Sequence, residues 1–180
     1  ELAARAKSWE RKADHLVMQA RDKAERQPRW QPVARLVEQS DEVADALEEA
    51  AFLISLMADH HLKGWNDDVR KVLARLAATV LQATQDQVKA LAIARMLGSN
   101  SESADNDAFL GATWGVLQAE RQCDVLLRDA RRVILGVVQD APTLMLANDL
   151  AGTLELASDR LLAAAYALRD LAFDKAGVRG

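Results

Sequence analysis

One cysteine, Cys123, stands in 180 residues, so no disulfide can form within the chain and a reducing cytoplasm is the simplest compartment for it. Aromatics are scarce, with four Trp, one Tyr and three Phe, and proline is limited to Pro28, Pro32 and Pro142. No apolar run approaches the roughly 18 residues of a membrane-spanning helix, and no basic-then-apolar signal peptide opens the chain. Positive charge is also in deficit: 23 Lys and Arg against 27 Asp and Glu leave a formal charge of -4. A sequence-independent grip on DNA or RNA needs a basic face to displace counterions, so nucleic acid is not an expected partner. The chain begins at Glu1 without Met and already in helical register, so a preceding segment is expected.

Half of the residues are hydrophobic, and the apolar mass is mostly Ala, Leu and Val, which suits close helix packing. The expected fold class is all-α, with five long helices and no strand. The first runs from about 1 to 27 and stops at "QPRWQP", where two prolines remove backbone donors. The second, opened by Pro32 and ending near His61, carries Val33, Leu36, Ser40, Val43, Leu47, Ala50, Ile54 and Met57 at three-and-four spacing. In "KGWNDD", Gly64 suits a left-handed C-terminal position, Asn66 an N-cap, and Asp67 and Asp68 the positive end of the next dipole. The third helix reaches about Leu97, and the polar stretch "GSNSESADND" (98–107) reads as the linker. A fourth helix spans about 107–139, and the fifth, with Pro142 in its first turn, continues to about Lys175.

The chain also repeats itself. "ERKADHLVMQAR" (10–21) and "ERQCDVLLRDAR" (120–131) are identical at six of twelve positions. The following helices repeat as well: "LVEQSDEVADALEEAAF" (36–52) aligns with "LAGTLELASDRLLAAAY" (150–166). Two pseudo-repeated halves follow, residues 1–64 with two helices and 65–180 with three, packed as one domain.

Acidic pairs one helical turn apart number seven here, against about four expected by composition alone. Four of them hold corresponding places in the repeat: Glu10/Asp14 and Asp41/Asp45, then Glu120/Asp124 and Glu155/Asp159. Like charges at this spacing cost roughly 0.2–0.5 kcal/mol per pair in an isolated helix. The stripe Leu110, Thr113, Leu117, Glu120, Asp124, Leu127, Ile134 and Val138 places one pair in or beside a seam. A second stripe, Ala151, Glu155, Ser158, Leu162 and Tyr166, runs at the edge of Leu150, Leu154, Leu161 and Leu168. Half-buried carboxylates must be protonated, paired with cations or bound to metal. Three readings follow from the residues alone. Arg11, Arg21, Arg121 and Arg131 could neutralise the pairs in a metal-independent helical interaction scaffold. Alternatively, two pairs per half could supply up to four carboxylates to a hard or borderline cation. The third reading is a carboxylate-bridged metalloenzyme.

Other chemistry finds little support. His15 reads as a surface histidine, His60 and His61 as cations closing a helix, and Cys123 as a small packed thiol. A di-iron carboxylate oxidase would want Glu-x-x-His, and the residues three before His15, His60 and His61 are Lys12, Met57 and Ala58. No Gly-rich phosphate loop, Ser/His/Asp array or zinc signature occurs, so an enzyme is not expected.

The paired motifs resemble those of the PhoU-like phosphate-transport regulators, in particular the short branch associated with Pit-type inorganic phosphate transporters. "SDEVADALEEAA" is similar to that branch's D-D-x-x-D-x-x-E-x-A-A segment, and "TLELASDRLLAAA" to its L-E-x-A-x-D-R segment. The resemblance implies two three-helix bundles, of which the first helix of the first half is missing here. It implies metal ions, among iron, zinc, nickel, manganese and magnesium, at Glu10, Asp14, Asp41, Asp45, Glu120, Asp124, Glu155 and Asp159. It further implies a non-catalytic regulator that contacts a phosphate transporter or sensor kinase, at a cytoplasmic location peripheral to the inner membrane. Self-assembly into a homo-oligomer is compatible with the same reading.

Overall fold

A computed structural model describes residues 2–59, 65–98 and 103–176. The described residues form five long helices: α1 (Leu2–Arg26), α2 (Gln31–Asp59), α3 (Asp67–Met96), α4 (Ser103–Val137) and α5 (Ala141–Ala176). None is long and apolar enough to cross a membrane.

Local chemistry sets the helix ends. α1 stops before Pro28 with Lys23 and Arg26 in its last turn, where cations suit the exposed carbonyls. A 3₁₀ turn, Pro28–Trp30, then redirects the chain, and the Lys23 ammonium lies 3.4 Å from the centre of the Trp30 ring. Asn66 caps α3 by accepting a 3.0 Å hydrogen bond from the Val69 amide, with Asp67 and Asp68 in the first turn. At α5 the Thr143 amide donates to Asp140 Oδ2 at 2.9 Å, and Pro142 falls in the first turn as expected. The polar stretch 98–107 is not all linker: α4 begins at Ser103, with Asp105 in a first turn where acidic side chains are favourable. His60, His61 and Gly64 lie outside the described residues.

Helices α3, α4 and α5 pack against one another, α2 packs along α5, and α1 rests on α2 and the 3₁₀ turn. One core joins the two parts of the chain, because Val43, Leu53 and Met57 of α2 share a cluster with Leu76, Val116 and Leu150. A second cluster at the opposite end gathers Leu36, Phe109 and Leu168, and Phe109 meets Phe173 edge-on at 6.5 Å. Many of the buried positions are alanines, including Ala83, Ala130, Ala147, Ala151 and Ala157, which let the helix axes approach closely.

Several stripe assignments need correction. Leu150, Leu154, Leu161 and Leu168 are buried as expected, but Ser40, Ile54 and Leu110 are exposed. On α4 the buried seam runs through Ala112, Val116, Ala119, Cys123 and Ala130, turned from the leucine stripe toward small residues. By contrast with α4, α1 buries only Val17 and Ala24.

Candidate functional site

The eight candidate carboxylates fall into two clusters, each formed where two packed helices face one another. In the first, α1 supplies Glu10 and Asp14 and α2 supplies Asp41 and Asp45. Glu10 and Asp41 are half-buried, while Asp14 and Asp45 are exposed. Burial pushes the Asp41 carboxyl above the ordinary carboxylate range, and the negative charges of Asp45, Asp14 and Glu10 add to it. Asp45 is raised by burial and then by Asp14, Glu42 and Glu48, with Lys7 opposing. The four predicted residues are therefore brought within one another's field.

Glu10 Oε2 and Asp41 Oδ1 are enclosed without a hydrogen-bond partner. The Lys7 ammonium is 3.8 Å from both Glu10 Oε2 and Glu48 Oε1, too far for a hydrogen bond to either. Enclosed carboxylate oxygens lacking a donor are the kind of group that a cation satisfies.

The second cluster joins Glu120 and Asp124 of α4 to Glu155 and Asp159 of α5. Glu120 is raised by burial, then by Asp124 and Asp159, against Arg121. Glu155 is raised by burial and then by the negative charges of Asp159 and Asp124, against Arg131. Asp159 is raised by burial and then Asp124, against Arg160. Cys123 is buried between these acids on α4, and burial pushes its thiol up, which fits a packed structural thiol.

The arginines proposed as neutralising partners mostly lie elsewhere. Arg21 is bonded to Glu38 at 2.6 Å instead of Asp14, and the Arg121 guanidinium stands 5.9 Å from the Trp114 ring. Arg131 acts on Glu155 and packs by Gly152, whereas Arg11 is exposed and forms no ion pair with a described residue. Arg128 approaches Asp124 at 3.8 Å from a largely solvated position. His15 lies on the surface, with Gln19 Nε2 2.9 Å from its Nε2.

Sequence reasoning passed over Lys7, Glu42, Glu48 and Arg160. Arg160 and Glu42 form a 3.5 Å ion pair that ties α5 to α2 between the two clusters. Each adjoins a candidate acid in the sequence, but their pairing depends on how α2 is rotated against α5. Among the described residues no three carboxylate, thiol or imidazole groups converge tightly enough to hold one metal ion as the side chains stand. The carboxylates' oxygen donors are of the type a hard cation takes, but they are not gathered round one point. No protein-family model, curated protein or solved structure matches the chain.

Proposed function

We propose that this protein is a non-catalytic, PhoU-like regulator of inorganic phosphate transport that binds metal ions through its paired acidic motifs and acts by contact with a transporter or sensor kinase. The observation that carries the metal part is the recurrence of four mutually repelling, half-buried or rim carboxyls at equivalent places in both halves. Such clusters cost stability unless protons or cations relieve them. Glu10, Asp14, Asp41 and Asp45 would hold one ion and Glu120, Asp124, Glu155 and Asp159 another. A bound ion supplies positive charge that joins carboxylates on facing helices. Around it, the chain's own residues set the crossing of α1 on α2 and of α4 on α5, and so shape the surface that a partner reads. The phosphate part rests on the motif resemblance.

Thermal unfolding after chelation and after addition of iron, zinc, nickel, manganese or magnesium tests the metal part. A cation-dependent rise in unfolding temperature, with metal found by elemental analysis, is expected; no shift and no metal would remove it. Phosphate uptake by cells lacking the gene tests the regulatory part, and unchanged uptake would overturn it.

The metal-independent scaffold is a second reading, favoured by the absence among the described residues of a preformed three-donor group and by the Lys7, Arg128 and Arg160 contacts. It expects stability indifferent to divalent cations at fixed ionic strength.

A further inference from the structure

The apolar stripes of α4 and α5 run on past the second acidic cluster. There Leu110, Trp114 and Leu117 of α4 and Leu162, Tyr166 and Arg169 of α5 line an open groove of about 440 Å³. Trp114 is 57% exposed and Tyr166 43%, so both aromatic side chains can be reached from solvent. At Gly111, which also lines the groove, the wall is hollow: an added Cβ would meet nothing within 4 Å.

The internal repeat shows that this groove is no by-product of helix pairing. In the continued register Leu117 and Leu162 correspond to Lys7 and Glu48, Trp114 to Ala4, and Arg169 to Ser55. Lys7 and Glu48 stand 3.8 Å apart as an ion pair, so the first half puts opposite charges where the second has two leucines. Trp114, the leucine pair and Arg169 therefore occur together in the second half only.

Charge identifies the occupant. No carboxylate lines the groove. Its one charged side chain is Arg169, whose guanidinium lies 5.0 Å from the centre of the Tyr166 ring and forms no ion pair with a described residue. Asp170, next in sequence, lines a different hollow with Pro32 and Arg35. One turn past Leu117 and Leu162 stand Glu120 and Asp159, close enough for Asp159 to raise the Glu120 carboxyl. An anion is thus drawn to the Arg169 end and kept from the other. The walls between run for seven residues of α4, roughly 10 Å at the helical rise. Apart from the ring edges of Trp114 and Tyr166, the uncharged polar side chain there is Thr113, whose hydroxyl already donates to the Phe109 and Leu110 carbonyls. An extended peptide would bring more backbone amides than these walls can pair, and a hydrocarbon chain brings none.

We propose that the α4/α5 groove binds one medium-chain aliphatic carboxylate, its head at Arg169 and its tail lying between Trp114 and Tyr166 and ending before Glu120 and Asp159. Charge-assisted hydrogen bonds from the guanidinium hold the head, and burial against the rings and leucines holds the chain. This site is separate from the acidic clusters and needs no metal.

The test is calorimetric titration of decanoate, kept below its micelle-forming concentration, into the full chain with chelator present. One site per chain is expected, with a shift of Trp114 emission to shorter wavelength, read as the difference from Trp114→Phe. Acetate, which has the head without the tail, should not bind. Arg169→Gln should weaken decanoate binding by about tenfold or more, the scale of lost charge-assisted bonds. Gly111→Leu, which fills the hollow while favouring the helix, should abolish binding. Gly136→Leu, at an equally open place on the same helix, should leave it unchanged. Circular dichroism confirms that each variant stays helical. Absence of saturable binding would overturn the proposal, as would binding indifferent to Gly111→Leu or to Arg169→Gln. Attachment of the chain to phosphatidylglycerol vesicles without binding of free decanoate would overturn it in favour of a membrane surface.

Discussion

Glu155 on α5 faces Asp124 on α4 across the seam between the two helices, and after burial and Asp159 the negative charge of Asp124 helps to hold the Glu155 carboxyl above the ordinary carboxylate range. Replacing both with their amides, Asp124→Asn and Glu155→Gln, removes charge repulsion without removing volume. The metal-free double variant is expected to gain up to about 1 kcal/mol, the scale of a partly solvated charge pair. It should also lose most of any metal-dependent rise in unfolding temperature that belongs to this half. Differential scanning calorimetry with and without chelator reads both effects.

Acidification should stabilise the protein before it unfolds it. Asp41, Asp45, Glu120, Glu155 and Asp159 are all held above the ordinary carboxylate range, by burial first and by neighbouring acids second. Between the unfolded value of about 4 and the raised folded values, the folded chain binds more protons than the unfolded one. The stability these groups contribute is therefore complete below the unfolded value and is lost as pH rises through the folded values. Urea midpoints measured from neutral pH downward should increase before global acid unfolding intervenes, and a flat profile would contradict the clustering.

Two kinds of glycine on α4 should respond unequally. A Cβ at Gly115 would stand 2.7 Å from Asp86 Oδ2, whereas nothing lies within 4 Å of one at Gly111 or Gly136. Gly136→Ala is expected to stabilise by up to about 1 kcal/mol through helix propensity alone. Gly115→Ala should gain less than Gly136→Ala because the Asp86 carboxylate must turn aside to admit it, and Asp86→Ala should restore the difference. Chemical denaturation of the wild type, the Gly115 and Asp86 single variants and their double variant closes the cycle.

Caps and the lesser core give simpler expectations. Asn66→Ala should destabilise by about 0.5–2 kcal/mol through loss of the acceptor for the Val69 amide. Phe109→Ala, which empties the centre of the second cluster and its edge contact with Phe173, should cost about 3–5 kcal/mol.

Helix number and type were legible in the sequence because their signals are local: Pro28, Asn66 and Pro142 sit where helix ends require them. The leucine stripe of α5 was equally clear. What escaped was rotation. On α4 the leucines drew attention to a face that includes the exposed Leu110, while the buried seam passes through Ala112, Ala119 and Ala130, whose importance lies in how near another helix can come. The α4 start lies earlier than its sequence suggests because Ser103 and Asp105 suit a loop and a first turn equally well. For the candidate site, the repeat pairs acids that lie within one another's field, short of a three-donor group among the described residues. It carried no information on Lys7 or Arg160, whose partners are fixed by helix packing.

The alanines at the centre of the fold have a consequence for mutational tolerance. Ala83, Ala130, Ala147, Ala151 and Ala157 are completely enclosed, and each already has nearly the smallest side chain available. Truncation at these places has almost nothing to remove, so damage comes from enlargement, which forces whole helices apart instead of leaving a hole. A saturation survey of this core should reverse the usual pattern: Ala→Gly and Ala→Ser mild, Ala→Val and Ala→Leu severe. Tolerance at these positions should follow side-chain size more closely than hydrophobicity.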